Sequence, residues 1–98
     1  MIPQYVTVIA EMTAHPGKEE DLKRHLLVLV EHTRREEGCI QYDLHLSDHD
    51  PRKFVFVETW TTAEALDRHS KSLHINAFRE ASASLRADPV VHTYTRIA

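Results

Sequence analysis

His69 and His74 are the residues whose type and spacing best suit proton transfer, because imidazole changes charge near neutral pH without needing a large shift. His69 follows Leu66 by three residues and so shares the inward face of a short helix. His74, Phe78, Ala81 and Leu85 recur at i, i+4, i+7 and i+11, which predicts an inward-looking His74 with an aromatic ring one turn later. Taken singly, each is equally a buried histidine satisfied by a backbone carbonyl. Two of them five residues apart at a helix break, just after a strand ending in Trp60, point to a pocket instead. His69 and His74 are therefore the candidate catalytic pair, and Trp60, Phe78, Glu58 and Tyr42 are the candidate substrate-binding residues. Trp60 is the expected pocket wall. Glu58 shares a strand face with Phe56 and Trp60, so a buried carboxylate there requires a partner; it could orient a histidine or act as a base.

The remaining chemistry-bearing residues exclude more than they suggest. Eight histidines in 98 residues invite a metal reading, but no pair on one helix is joined by a third ligand at zinc-site spacing. His25 and His32 lie beside the apolar stripe of the first helix, and His15 and His49 fall in turns; solvated surface histidines account for them. The expectation is no metal and no cofactor. Gly17 and Gly38 are isolated, so there is no phosphate loop or dinucleotide fingerprint, and no Gly-x-Ser-x-Gly nucleophile motif occurs. The lone Cys39 allows no intrachain disulfide and reads as a small buried residue. Asn76 and Arg79 either border the pocket or face water.

These side chains need a scaffold, and the hydrophobic pattern supplies one. Tyr5 to Met12 alternates as a strand. Pro16-Gly17 breaks it, and Glu19, Glu20 and Asp21 open a helix where the dipole favours negative charge. Leu22, Leu26, Leu29, Val30 and Thr33 form its apolar stripe, and Gly38 stops it. Cys39 to Ser47 is a second strand, with Ile40, Tyr42, Leu44 and Leu46 on one face. Lys53 to Trp60 is a third, apolar enough to imply burial on both faces. Thr61-Thr62-Ala63-Glu64 is a capping-box sequence opening a short helix. A second helical stretch follows from Ser72 to Arg86, then a last strand from Val90 to Ile97. The fold class is α+β, in the ferredoxin-like order β-α-β-β-α-β with a split second helix and an antiparallel sheet, as one domain over residues 1–98. Helices cover one sheet face only. The other face, partly apolar, predicts a homodimer with two-fold symmetry.

A net charge of −3 gives no general attraction to nucleic acid or anionic membrane, and no apolar run reaches the roughly 20 residues a bilayer span needs. Met1-Ile2-Pro3-Gln4 lacks the features of a secretory signal, so the expected location is cytoplasmic.

The opening Tyr5–Met12 with Pro16-Gly17-Lys18-Glu19, the strand Phe54–Trp60, and the series Leu66, His69, Ser72, His74, Ala77, Phe78 together resemble the antibiotic biosynthesis monooxygenase (ABM) family of dimeric α/β barrel proteins. The resemblance covers nearly the whole chain. It implies a cavity between helices and sheet, lined by this region. It further implies a cofactor-independent monooxygenase that oxidises a quinol or polyhydroxylated aromatic with dioxygen. Haem-degrading relatives carry tryptophan where His69 stands and histidine where Arg79 stands, so the resemblance does not extend to haem oxygenation. Two alternatives stay open on the same scaffold: an isomerase of a small phosphorylated sugar-like signal, and a non-catalytic small-molecule-binding or stress-response module.

Overall fold

The structure is a computed structural model that describes residues 4–98; the N-terminal reading of Met1 to Pro3 falls outside the described residues. Four strands, β1 (Val6–Thr13), β2 (Cys39–Leu46), β3 (Lys53–Trp60) and β4 (Val90–Thr95), alternate with helices α1 (Glu19–Thr33), α2 (Ala63–Ser70) and α3 (Leu73–Ser82). A 3₁₀ turn, Ala83–Leu85, extends α3. All pairings are antiparallel and the spatial order is β2-β3-β1-β4, the ferredoxin-like arrangement expected. No helix among the described residues is long and apolar enough to cross a membrane.

Alternation decides which side of the sheet meets the helices. Val8, Ala10 and Met12 of β1, Phe54, Phe56, Glu58 and Trp60 of β3, and Tyr42 of β2 are buried beneath them. The stripe predicted for α1 is the buried set observed: Leu22, Leu26, Leu29, Val30 and Thr33. β3 departs from expectation. Only its helix-facing side is buried, and Val55, Val57 and Thr59 on the other side are half-buried. Two register details also differ. A bulge between Cys39 and Gln41 removes Ile40 from the face of Tyr42 and leaves it 49% exposed. The α2 cap falls at Thr62 rather than Thr61, with the Thr62 side chain accepting from Ala65 N at 3.1 Å.

Helices α2 and α3 are separated by a two-residue break that Ser72 organises. Its hydroxyl donates to His69 O at 2.9 Å and accepts from Ile75 N at 3.3 Å, ending one helix and capping the next. The inward stripe of α3 is Ile75, Phe78 and Ser82, one position away from the predicted His74–Phe78–Ala81–Leu85 line. His74 is on the flank, toward α1, because Ile75 is the better residue to bury.

Gly38 closes the turn after α1 in a left-handed conformation, φ +89°, and its carbonyl accepts from Thr61 N at 2.8 Å. A Cβ there would come 2.5 Å from Ala65 Cβ and 2.8 Å from Thr61 Oγ1, so glycine also lets α2 approach this turn. Gly17 has φ +81° with nothing within 4 Å. Gly38→Ala is expected to destabilise by about 2–4 kcal/mol, combining backbone strain with overpacking, whereas Gly17→Ala should cost about 1 kcal/mol from strain alone. Urea unfolding of the two variants beside the parent protein measures the difference; equal losses would mean that the close approach at Gly38 is unimportant.

Candidate functional site

The turn closed by Gly38 carries Glu36, and Glu36 organises the histidines. His69 Nδ1, at the end of α2, lies 2.6 Å from Glu36 Oε2. His74 Nε2, in the first turn of α3, lies 3.2 Å from the same oxygen, at an angle that makes no hydrogen bond. The His74 ring stacks on His32 of α1, with centroids 5.7 Å apart and planes 20° apart. The helix break thus brings histidines from two helices to one carboxylate. The side chains of Glu36 and His69 are only 16% and 8% exposed, so their contact is shielded from bulk water.

His69 is backed by aromatics. Its ring centroid lies 4.8 Å from that of Trp60 and 5.5 Å from that of Tyr42, and Tyr42 packs on Phe56 at 4.6 Å. Trp60 is fully buried, and its Nε1–H donates to Glu58 Oε1 at 2.9 Å. That bond answers the requirement for a partner at Glu58.

A cavity of about 160 Å³ opens between the helices and the sheet. Val8, Ala10, Met12, Phe56 and Tyr42 form its sheet side; Leu66, His69, Ile75 and Phe78 form its helix side, and Glu58 reaches it from β3. Four of the six candidate residues, His69, Phe78, Glu58 and Tyr42, therefore border one space. Trp60 and His74 do not. Trp60 sits behind His69 as support rather than as an exposed wall, and His74 faces a separate cleft between α1 and α3 with His25 and His32. Sequence reasoning missed Glu36. It lies 33 residues before His69, in a run of charges after a helix, and only the closure of the fold shows its role.

Burial favours the uncharged form of each ionisable group of the cavity. His69 lies below the ordinary imidazole value, because burial disfavours its charge more than Glu36 favours it, with His74 and Arg79 adding repulsion. Glu58 is pushed up to about 7, chiefly by burial; the Trp60 hydrogen bond opposes this and the Glu36 charge adds to it. Tyr42 is raised well above its usual range by burial and then by Glu58, so its phenol stays protonated. Cys39 is likewise raised, to about 11, by burial and Glu36, which suits a packing residue rather than a nucleophile.

Glu36, His69 and His74 bring three ligand-type atoms within 4.8 Å of one another, a set that spacing along the chain did not reveal. Two ligands held about 2.0–2.1 Å from a tetrahedral ion stand about 3.4 Å apart. The 2.6 Å separation of His69 Nδ1 and Glu36 Oε2 is instead that of a direct, charge-assisted hydrogen bond. With the carboxylate ionised, Nδ1–H donates, and Nε2 is left as the basic nitrogen.

Comparison with known proteins agrees with this architecture. The family model for antibiotic biosynthesis monooxygenase matches residues 5–81. The chain belongs to the antibiotic biosynthesis monooxygenase family. Among solved structures, PA3566 from Pseudomonas aeruginosa is 37% identical, with a TM-score of 0.93 over 100% of this chain and 99% of that one. A protein solved as an antibiotic biosynthesis monooxygenase is 32% identical, with a TM-score of 0.88 over 95% of this chain and 99% of the other. The chain is also 29% identical to sll1783 of Synechocystis sp. across 95% of its own length, and spans 63% of that longer protein. Family membership makes this an ABM-type, monooxygenase-like domain.

The raised Glu58 value has a thermodynamic consequence. Its folded-state value lies above the unfolded one, so its contribution is fully present below about 4.5 and is lost as pH rises through about 7. Above that, the fold holds a buried, ionised carboxylate. Glu58→Gln keeps an acceptor for Trp60 and removes this penalty. Relative to the parent, the variant should be more stable at pH 8 by on the order of 3 kcal/mol, and the gain should vanish by about pH 4. Thermal or urea unfolding at the two pH values tests this; a gain independent of pH would contradict it.

Proposed function

We propose that this protein is a cofactor-independent monooxygenase that oxidises a single-ring polyhydroxylated aromatic with dioxygen, with His69 as general base. The observation that carries this reading is a histidine bordering an apolar cavity while a shielded carboxylate holds its other nitrogen at 2.6 Å. The cavity is about the size of an engineered one, roughly 150 Å³, that takes up benzene. It therefore suits one ring with small substituents. Tyr42, Phe56 and Phe78 offer aromatic faces and edges to that ring.

The chemistry needs little else from the protein. His69 Nε2 accepts the phenolic proton, and the imidazolium that forms is stabilised by Glu36. The electron-rich phenolate passes one electron to dioxygen. The resulting radicals combine at a ring carbon bearing hydrogen, and the peroxide takes back the proton held by His69, giving a hydroperoxide. Its O–O bond then breaks as that carbon loses its proton to the freed His69, which passes it on to restore Glu58 after turnover. One oxygen stays on the ring as the new quinone carbonyl and the other leaves as water. Glu58, an acid matched to neutral pH in the same cavity, supplies the proton for that departure. Trp60 and His74 act by position: Trp60 holds Glu58 and backs His69, and His74 packs against Glu36.

His69→Ala should lower the rate of oxygen uptake with the oxidised quinol by about 10²–10⁴-fold, the usual worth of a positioned base. Because His69 lies below its ordinary value of 6.5, the acid limb of the parent pH–rate profile should fall below pH 6.5. Glu36→Gln removes the charge that raises His69 and should move that limb to still lower pH, besides slowing turnover. A limb unmoved in Glu36→Gln, or oxygen uptake at the parent rate in His69→Ala, would refute the assignment. An isomerase acting on a phosphorylated sugar-like molecule is the second reading. Arg79 on the cavity wall favours it, and the absence of oxygen uptake across a panel of quinols would support it.

The active form is proposed to be a homodimer built on the open face of the sheet. Ile9, Val57 and Tyr94 lie there, and Ile9 pairs with Val57 at its centre. Val90 and Tyr94 of β4 are about half exposed in the single chain. Such a face is expected to be covered. Light scattering should give twice the 11.3 kDa chain mass, and Val57→Lys should give the monomer. A parent protein that is monomeric at micromolar concentration would rule the dimer out.

A further inference from the structure

Two guanidinium groups, those of Arg79 and Arg86, border the same cavity as His69, and neither makes an ion pair with a carboxylate among the described residues. Arg24, Arg34 and Arg52, by contrast, each pair with an aspartate. Arg79 spends one nitrogen on uncharged acceptors, donating to Ser70 O at 2.7 Å and Asn76 Oδ1 at 3.1 Å.

Arg86 is held more firmly. Its Nε donates to Ser82 Oγ at 2.9 Å, and that buried hydroxyl donates in turn to Phe78 O at 2.7 Å. The guanidinium sits over the Phe78 ring, 5.6 Å from its centroid. The backbone beside it is pinned to β1, with Ala87 N donating to Thr13 O at 3.0 Å and Ala14 bridging Arg86. Burial disfavours the charge on Arg86; the nearby Asp88 carboxylate favours it in part, and Arg79 opposes it. Two guanidinium groups thus border one apolar space, and among the described residues no carboxylate forms an ion pair with either.

We propose that Arg79 and Arg86 form an oxyanion subsite, so that the ring bound in this cavity carries an anionic oxygen substituent, a carboxylate or a phosphate. The proposal rests on the reading of the cavity as a substrate site and adds the class of substituent. The planar forks of two arginines match either group through paired N–H···O bonds. The substituent would lie at the arginine end of the ring and leave the hydroxyls for His69. It would also give Arg79 and Arg86 the direct ion-pair partner that neither has among the described residues.

Calorimetric titration under nitrogen tests the subsite apart from any oxidation. Two matched pairs serve as probes: 2,5-dihydroxybenzoate against its methyl ester, and phenyl phosphate against phenol. The anion of at least one pair should bind about tenfold more tightly than its neutral partner, and the pair showing the larger ratio identifies the substituent. Arg79→Gln and Arg86→Gln should each shrink that ratio, and the double variant should abolish it. Arg79 is exposed, so its variant tests the idea even if loss of Arg86 loosens the fold. Neutral probes that bind as tightly as both anions, or an anion preference unchanged in both single variants, would overturn the subsite. Oxygen uptake, followed in parallel, separates the two readings. Uptake without anion preference removes the subsite alone, and anion preference without uptake on any quinol removes the monooxygenase reading alone.

Discussion

The contact between Glu36 and His69 is the constraint on which the candidate site depends. A carboxylate with little exposure needs a partner, and the nearest is an imidazole 2.6 Å away on another helix. Meeting that need fixes three things together. The turn after α1 must deliver Glu36 to the sheet's end. Helix α2 must lie close to that turn, which the glycine at 38 permits. The chain must also break at Ser72, so that His74 approaches the same oxygen from α3. Removing the carboxylate would leave the buried His69 and the half-buried His74 with no common anchor.

The electrostatics of the cavity follow from its walls. Apolar side chains on both sides make any charge costly, so an acid moves up and a base moves down. Glu58 and His69 respond in opposite directions: the carboxyl rises to about 7 and the imidazole falls below its ordinary value. Neither shift requires a metal or another charged group in direct contact with Glu58; burial is the leading cause of both. The hydrogen bond from Trp60 keeps the Glu58 carboxyl oriented, and the Trp60 ring in turn supports His69. The tryptophan therefore couples acid and base without touching the cavity itself.

Periodicity was a good guide where a side chain had one role. The α1 stripe was legible to the residue, because five apolar or small positions faced a single layer of sheet. It misled on α3, a ten-residue helix where His74 and Ile75 compete for the inward position; burial of the isoleucine moved the histidine to the flank. It misled on β2 as well, since a bulge at Ile40 changes the face without changing the alternation of the letters. The apolar run of β3 implies burial on both sides, and the single chain buries one. That strand's outer valines meet only their neighbours in the sheet.

The sequence by itself determined the order of strands and helices, the buried stripe of α1 and the shared strand face of Phe56, Glu58 and Trp60, because these follow from local periods of two and 3.6 residues. The tertiary structure alone decided that Glu36 is the partner of His69, that Trp60 supports rather than lines the cavity, and that Arg79 and Arg86 face the same space. These pairings join residues far apart in the chain, and no local period records them. They arise only when α1, the helix break and the last strand close around one sheet, and when burial obliges each polar group to find whatever partner that closure brings within reach.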